Sequence, residues 1–127
     1  TVLTSSDAAT WTAVNAGVSV DLNAVAVQIS TLYNIVAVGN AGTVVRSTDG
    51  GATWSTYNAG TSTDLTAVSG YYYQVLAVGK GGTVSTSADA TSWTVRSSGT
   101  SADLYAILYG FSQYVVAGLG GISINSQ

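Results

Sequence analysis

The sequence predicts an all-β repeat protein of three units of about forty residues, each with four short antiparallel strands and essentially no helix. Laid on itself, the chain superimposes as 1–42, 43–82 and 83–121, units of 42, 40 and 39 residues, with 122–127 starting a fourth copy as an orphan strand. Strand and turn chemistry recurs at the same offsets in each unit. No segment sustains apolar spacing at three and four, Glu is absent, and Val and Thr are abundant, which argues against helices.

Each unit opens on a β-prone pair (Thr1-Val2, Thr43-Val44, Thr83-Val84) and reaches a tryptophan ten or eleven residues later (Trp11, Trp54, Trp93). An Asp-Leu pair follows, its Asp ten residues beyond the Trp in every copy: Asp21-Leu22, Asp64-Leu65 and Asp103-Leu104. The unit closes on a β-branched run and a Gly-x-x-Gly turn at 39–42, 79–82 and 118–121.

The second copy is the cleanest guide to the strands. Thr43 to Ser47 is one, Asp49-Gly50-Gly51 supplies a turn with glycines for positive φ, and Thr53 to Tyr57 is the next. After a polar loop from Asn58 to Thr63, Leu65 to Ser69 and Gln74 to Val78 form a hairpin with its tip at about Gly70 to Tyr72. Strands of five or six residues are expected. Four of them every forty residues, with glycine turns at fixed offsets, is the pattern of β-propeller blades within a single repeat domain over 1–127.

Composition narrows the chemistry. Three basic residues (Arg46, Lys80, Arg96) against six Asp give a net charge of −3 and no basic stripe, so no nucleic acid partner is expected. No apolar run approaches the roughly 20 residues of a spanning helix, and no membrane insertion is expected. Cys and His are both absent, which removes thiolate ligands, disulfides, the commonest metal ligand and the commonest general base. No cofactor or metal is implied. The chain also has no Met, so Thr1 is not an initiator and the sequence is a processed product, an engineered piece or a segment of something longer. Richness in Ser, Thr, Gly and Ala with little Lys leans toward an extracellular, cell-surface or virion setting.

The segment Ser47-Thr48-Asp49-Gly50-Gly51-Ala52-Thr53-Trp54 resembles the Asp box, S-x-D-x-G-x-T-W, of sialidases and related propellers, and matches it fully. Ser5-Ser6-Asp7-Ala8-Ala9-Thr10-Trp11 and Ser87-Ala88-Asp89-Ala90-Thr91-Ser92-Trp93 keep it in part, one residue shorter and without the glycines, so their turns must differ in shape. With Asp-Leu opening one strand and Ala-Val-Gly closing the next, the whole chain is similar to photosystem II assembly-factor-like propellers and to propeller segments of phage and bacterial surface proteins. The resemblance implies that the box lies between the third and fourth strands of a blade, with Asp7, Asp49 and Asp89 bonding turn amides and Trp11, Trp54 and Trp93 wedged into the blade core. The residues agree, since a short carboxylate in an Asx-type turn satisfies donors that a tight reversal leaves free, and an indole supplies a large apolar surface.

A glycosidase needs two carboxylates, or a carboxylate with a tyrosine nucleophile. All six Asp are locked into the repeat and none is spare, while Arg46 and Arg96 fall at different repeat positions. A serine nucleophile lacks its activating base. Lys80 sits in a glycine turn with no helix after it, which is not a phosphate loop. The sequence therefore predicts no enzyme.

Recognition belongs on what varies between copies. Tyr71, Tyr72 and Tyr73 crowd one hairpin tip, Tyr109 and Phe111 lie near the equivalent tip of the third copy, and Tyr33 follows an insertion in the first. Tyr33, Tyr71, Tyr72, Tyr109 and Phe111 are the candidate contacts for a sugar or a protein. Tyrosines that merely cap the sheet edge are the alternative. Two functional classes follow: a structural or binding component of an assembly, in contact with itself or a neighbouring protein, and a carbohydrate-binding module. Three copies and an orphan strand leave two open ends, while Thr10 to Val14 has the sequence of the strand the third copy lacks. A homo-oligomer or a piece of a larger propeller is expected.

Overall fold

The computed structural model describes residues 1–30 and 33–125, and among these it has no α-helix. Thirteen strands lie in four antiparallel sheets. The first sheet pairs β1 (Val2–Thr4) with β2 (Thr12–Val14). The second holds β3 (Leu22–Ile29), β4 (Tyr33–Gly39), β5 (Thr43–Ser47) and β6 (Ser55–Asn58) in that order. The third repeats it with β7 (Leu65–Tyr71), β8 (Gln74–Gly79), β9 (Val84–Ser87) and β10 (Trp93–Arg96). The fourth has β11 (Leu104–Gly110), β12 (Gln113–Gly118) and β13 (Ser123–Asn125), which is the orphan strand as far as it is described; Ser126 and Gln127 lie outside the described residues.

The second, third and fourth sheets each start at an Asp-Leu pair, so each draws strands from two neighbouring sequence units. The Gly-x-x-Gly segment becomes a single 3-10 turn inside the sheet, between its second and third strands. Register repeats with the sequence: Leu22 faces Gly39, Leu65 faces Gly79 and Leu104 faces Gly118, with a bulge just after each Leu. The glycine is required there by close approach. A Cβ on Gly79 would stand 2.1 Å from the carbonyl oxygen of Asp64, and on Gly39 2.0 Å from that of Asp21.

The sheets stack in chain order through their first strands, β3 against β7 and β7 against β11. Strand pleating puts alternate residues on opposite faces, and both faces of the third sheet are covered. Val36, Val38, Val44, Leu65, Val68, Val75 and Ala77 fill the space between the second and third sheets. Ala67, Leu76, Val78, Leu104, Tyr114 and Val116 fill the space between the third and fourth. Leu65 and Leu104 are wholly buried, each burial stabilising by about 1.5–3 kcal/mol.

Polar ties cross the same junctions. Asn23 Nδ2 donates to the Leu65 carbonyl at 2.8 Å, and Thr66 Oγ1 donates to the carbonyl of Leu104. The amides of Ala41 and Gly81, in the first and second of the three 3-10 turns, donate to Asp64 Oδ1 at 3.0 Å and Asp103 Oδ1 at 2.8 Å. Asp at ten beyond Trp thus links one sheet to the turn of the sheet before.

Two sequence expectations need correction. Strands run from three to eight residues, since the first hairpin of a sheet is lengthened by pairing out to its tip. Trp11 is not a core wedge: it is 56% exposed, whereas Trp54 and Trp93 are half-buried. Trp54 packs at the margin of Ala37 and Val45, and Trp93 at the margin of the cluster around Val36 and Val44. The sheet that carries Trp11 has two strands and offers no such surface.

Candidate functional site: the aromatic hairpin tips

The first two strands of each sheet form a hairpin, and the tips of the third and fourth sheets are built from aromatic residues. Tyr71 pairs with Gln74 across the two-residue loop Tyr72-Tyr73, and Gly110 pairs with Gln113 across Phe111-Ser112. Two-residue hairpin loops favour positive φ because that backbone matches the right-handed twist of the strands. Tyr72 takes φ 43°, Phe111 φ 53° and Ser112 φ 62°. Asn-Gly is the usual occupant. A bulky side chain held in the left-handed region costs on the order of 1–3 kcal/mol, and here it is spent on rings that point to solvent: Phe111 is fully exposed, and Tyr72 and Tyr73 are exposed.

The two tips meet. Tyr71 stacks on Tyr109 with ring centroids 3.9 Å apart and planes 21° from parallel. Tyr72 stands edge-on to Tyr71 at 4.4 Å, and Tyr109 edge-on to Tyr114 at 4.9 Å. A row of four rings therefore runs from solvent at Tyr72 to the core at Tyr114, which is buried and donates from its hydroxyl to the Gln74 carbonyl at 3.4 Å. Packing of this kind holds the outer rings rigid at low entropic cost. Burial pushes the Tyr114 phenol up to about 12, and burial, then the neighbouring Tyr72, raises Tyr71.

Of the five candidate contacts, the structure thus joins Tyr71, Tyr72 and Tyr109 in one row. Phe111 belongs to the same hairpin as Tyr109 but projects free of the rings, and Tyr33 stands exposed at the start of β4 with no ring contact among the described residues. Tyr114 was missed by sequence reasoning. Its signal was available, since it lies four residues before Gly118, as Ile35 and Val75 lie before Gly39 and Gly79, and all are inward positions.

The Asp boxes occupy the turns between β1 and β2, β5 and β6, and β9 and β10. In each, the Ser hydroxyl donates to the Asp: Ser5 to Asp7 at 3.0 Å, Ser47 to Asp49 at 2.8 Å and Ser87 to Asp89 at 3.0 Å. The short boxes close alike, with Asp7 Oδ1 accepting from the amides of Ala9 and Thr10, and Asp89 Oδ1 from those of Thr91 and Ser92. Ala8 and Ala90 take the left-handed conformation there, at φ 59° and 61°. The full box differs: Gly50 and Gly51 both take positive φ, and Asp49 accepts from the amide and hydroxyl of Thr53. Hydrogen bonds hold the carboxyls low, Asp7 at about 2 chiefly through the Thr10 amide and Asp49 at about 2 chiefly through the Thr53 hydroxyl. Asp89 is lowered in the same way, first by the Ser92 amide. Asp64 is lowered by the Ala41 amide and then by Lys80, whose Nζ lies 2.9 Å from Asp64 Oδ2. These carboxylates are acceptors in turns and junctions.

Comparison of the chain with family models, with curated proteins and with solved structures finds no match in any of the three.

Proposed function

We propose that this chain is a non-catalytic β-propeller module, a structural or binding component of an extracellular or virion assembly, whose sheets are blades and whose partner contact is the aromatic rim. The observation that carries the reading is the rim itself: Tyr72 and Phe111 are held outward on left-handed backbone while Tyr71 and Tyr109 brace the tips by stacking. Exposed rings on a strained turn are unfavourable for an isolated chain and favourable for one that buries them against a partner. The absence of catalysis is supported by the use of five carboxylates as acceptors for Ser, Thr, Tyr, Lys or backbone donors of the fold itself. The test is biochemical fractionation: particles or surface layers purified from the source should hold the chain at fixed stoichiometry. A chain found only free in solution would count against the reading.

A second reading has one observation in its favour. Tyr72, Tyr73 and Phe111 offer flat exposed faces of the kind that stack on sugar rings. A glycan array separates the two, since carbohydrate recognition requires a hit that is lost in Tyr72→Ser/Phe111→Ser.

A further inference from the structure

Tyr71 of β7 and Tyr109 of β11 lie face to face where the third and fourth sheets meet. We infer that they are the site of a covalent modification, the oxidative coupling of the two phenols to a dityrosine that ties one sheet to the next.

Composition decides where oxidising equivalents can go. Cys and Met, the side chains that ordinarily take up oxidant, are both absent, and so is His. Eight Tyr and three Trp remain as the electron-rich groups of the chain. Trp54 and Trp93 are half-buried, and the exposed Trp11 has no ring beside it among the described residues. Four of the tyrosines, in contrast, form the continuous row from Tyr72 through Tyr71 and Tyr109 to Tyr114. Tyr72 and Tyr71 are 52% and 42% exposed, so an oxidant in solution meets the row at that end.

Geometry selects the pair within the row. A phenoxyl radical carries unpaired density on the ring carbons ortho to its oxygen, in lobes perpendicular to the ring, so two such rings couple when they meet face to face. Among the described residues Tyr71 and Tyr109 alone meet in this way, with centroids 3.9 Å apart and planes 21° from parallel. Tyr72 against Tyr71, at 83°, and Tyr109 against Tyr114, at 63°, present an edge to a face. Strand pairing fixes both members of the stack, Tyr71 opposite Gln74 and Tyr109 opposite Tyr114. Holding the partners in contact replaces a chance encounter between two radicals by a step within one molecule. Tyr71, the last residue of β7 and exposed on its outer side, has room for the slip of the ring that turns contact into a bond.

The oxidant is hydrogen peroxide, acting through a haem peroxidase. Each phenol gives up one electron and its hydroxyl proton, and the two radicals form one carbon–carbon bond. The hydrogens on the two bonded carbons pass through solvent to the oxygens, which restores both phenols. Two electrons and two protons have then left the protein, and they reduce one peroxide to two waters. The bond closes the chain around β8, β9 and β10, and it limits the unfolded state as a disulfide across the same positions would.

The basic residues make the link readable. Trypsin cuts after Arg46, Lys80 and Arg96, which leaves Tyr71 in peptide 47–80 and Tyr109 in peptide 97–127. The chain at low micromolar concentration is treated with a haem peroxidase and an equimolar amount of hydrogen peroxide, and the single-chain fraction is separated by size. That fraction should show dityrosine fluorescence, an intact mass lower by two hydrogens, and peptides 47–80 and 97–127 joined through Tyr71 and Tyr109. Its melting temperature should lie above that of the untreated chain. Tyr71→Phe and Tyr109→Phe keep a stacked ring and remove the hydroxyl that starts the reaction. Each should retain the far-ultraviolet dichroism and lose the link, whereas Tyr73→Phe should keep it. Coupling found only between chains, a single-chain fraction without the joined peptides, or joined peptides that survive Tyr109→Phe would each overturn the proposal. Failure of the coupling would leave the rim as a partner contact untouched, because exposure of Tyr72 and Phe111 does not depend on it.

Discussion

Gln28 Nε2, on a side chain with no exposure to solvent, donates at 2.8 Å to the carbonyl of Ala88, sixty residues further along the chain. Its Oε1 accepts from Asn34 Nδ2 at 2.9 Å, and Asn34 Oδ1 accepts from Arg46 Nε at 3.0 Å. One polar thread thus runs through three strands of the second sheet and into the Asp box of the third. Gln28→Ala leaves the buried Asn34 short of a partner and frees the carbonyl of the exposed Ala88, and a buried orphan costs about 1–3 kcal/mol. Urea denaturation should show a loss of that order or more, with an unchanged m value.

Trp54 and Trp93 are equivalent in sequence and unequal in bonding. Trp54 Nε1 donates to the Gly51 carbonyl at 3.0 Å, while Trp93 Nε1 is buried without a partner among the described residues. Trp54→Phe should therefore destabilise by about 1 kcal/mol more than Trp93→Phe, because only the first removes a satisfied hydrogen bond. Thermal melts of the two variants side by side check the difference.

Gly79 admits no side chain, since the carbonyl of Asp64 would lie 2.1 Å from a Cβ and is fixed by the strand pairing of Leu65 with Gly79. Gly79→Ala must part the first and second strands of the third sheet. Loss of cooperative unfolding is expected, whereas Gly81→Ala, in open space at φ 61°, should cost only about 1 kcal/mol of backbone strain.

Acid should loosen the Asp-box turns in a defined window. The folded pKa values of Asp7 and Asp49, about 2, lie below the ordinary 3.8, so these groups stabilise the fold above pH about 4, and that stability is lost as pH falls from there toward 2. The melting temperature should drop across this interval. In Asp49→Asn the drop should be smaller.

Repetition made much of this legible. Thr43–Ser47 is read from the sequence with its observed bounds, and the Asp box does lie between the third and fourth strands of a sheet. The strand after the box was read two residues early, because Thr53 is spent on Asp49 inside the turn and pairing starts at Ser55. Trp11 misled because a repeat implies burial only where a neighbouring sheet is present. The function of Asp64 and Asp103 as acceptors for the preceding turn could not be seen, since it joins residues that only stacking brings together. At the rim, exposure of Tyr72 and Phe111 followed from their place at hairpin tips, but the stacking of Tyr71 on Tyr109 depends on how adjacent sheets meet.

Incorporation of the Tyr72→Ser/Phe111→Ser chain into purified particles, relative to the unaltered chain at equal expression, probes the rim most directly. Both rings are exposed, and Ser keeps the Cβ that the left-handed backbone already carries, so the unfolding midpoint should fall little. If the rim is the recognition surface, incorporation falls about tenfold or more, the effect of losing roughly 1.4 kcal/mol at a contact hot spot. Equal incorporation of a folded variant would contradict it.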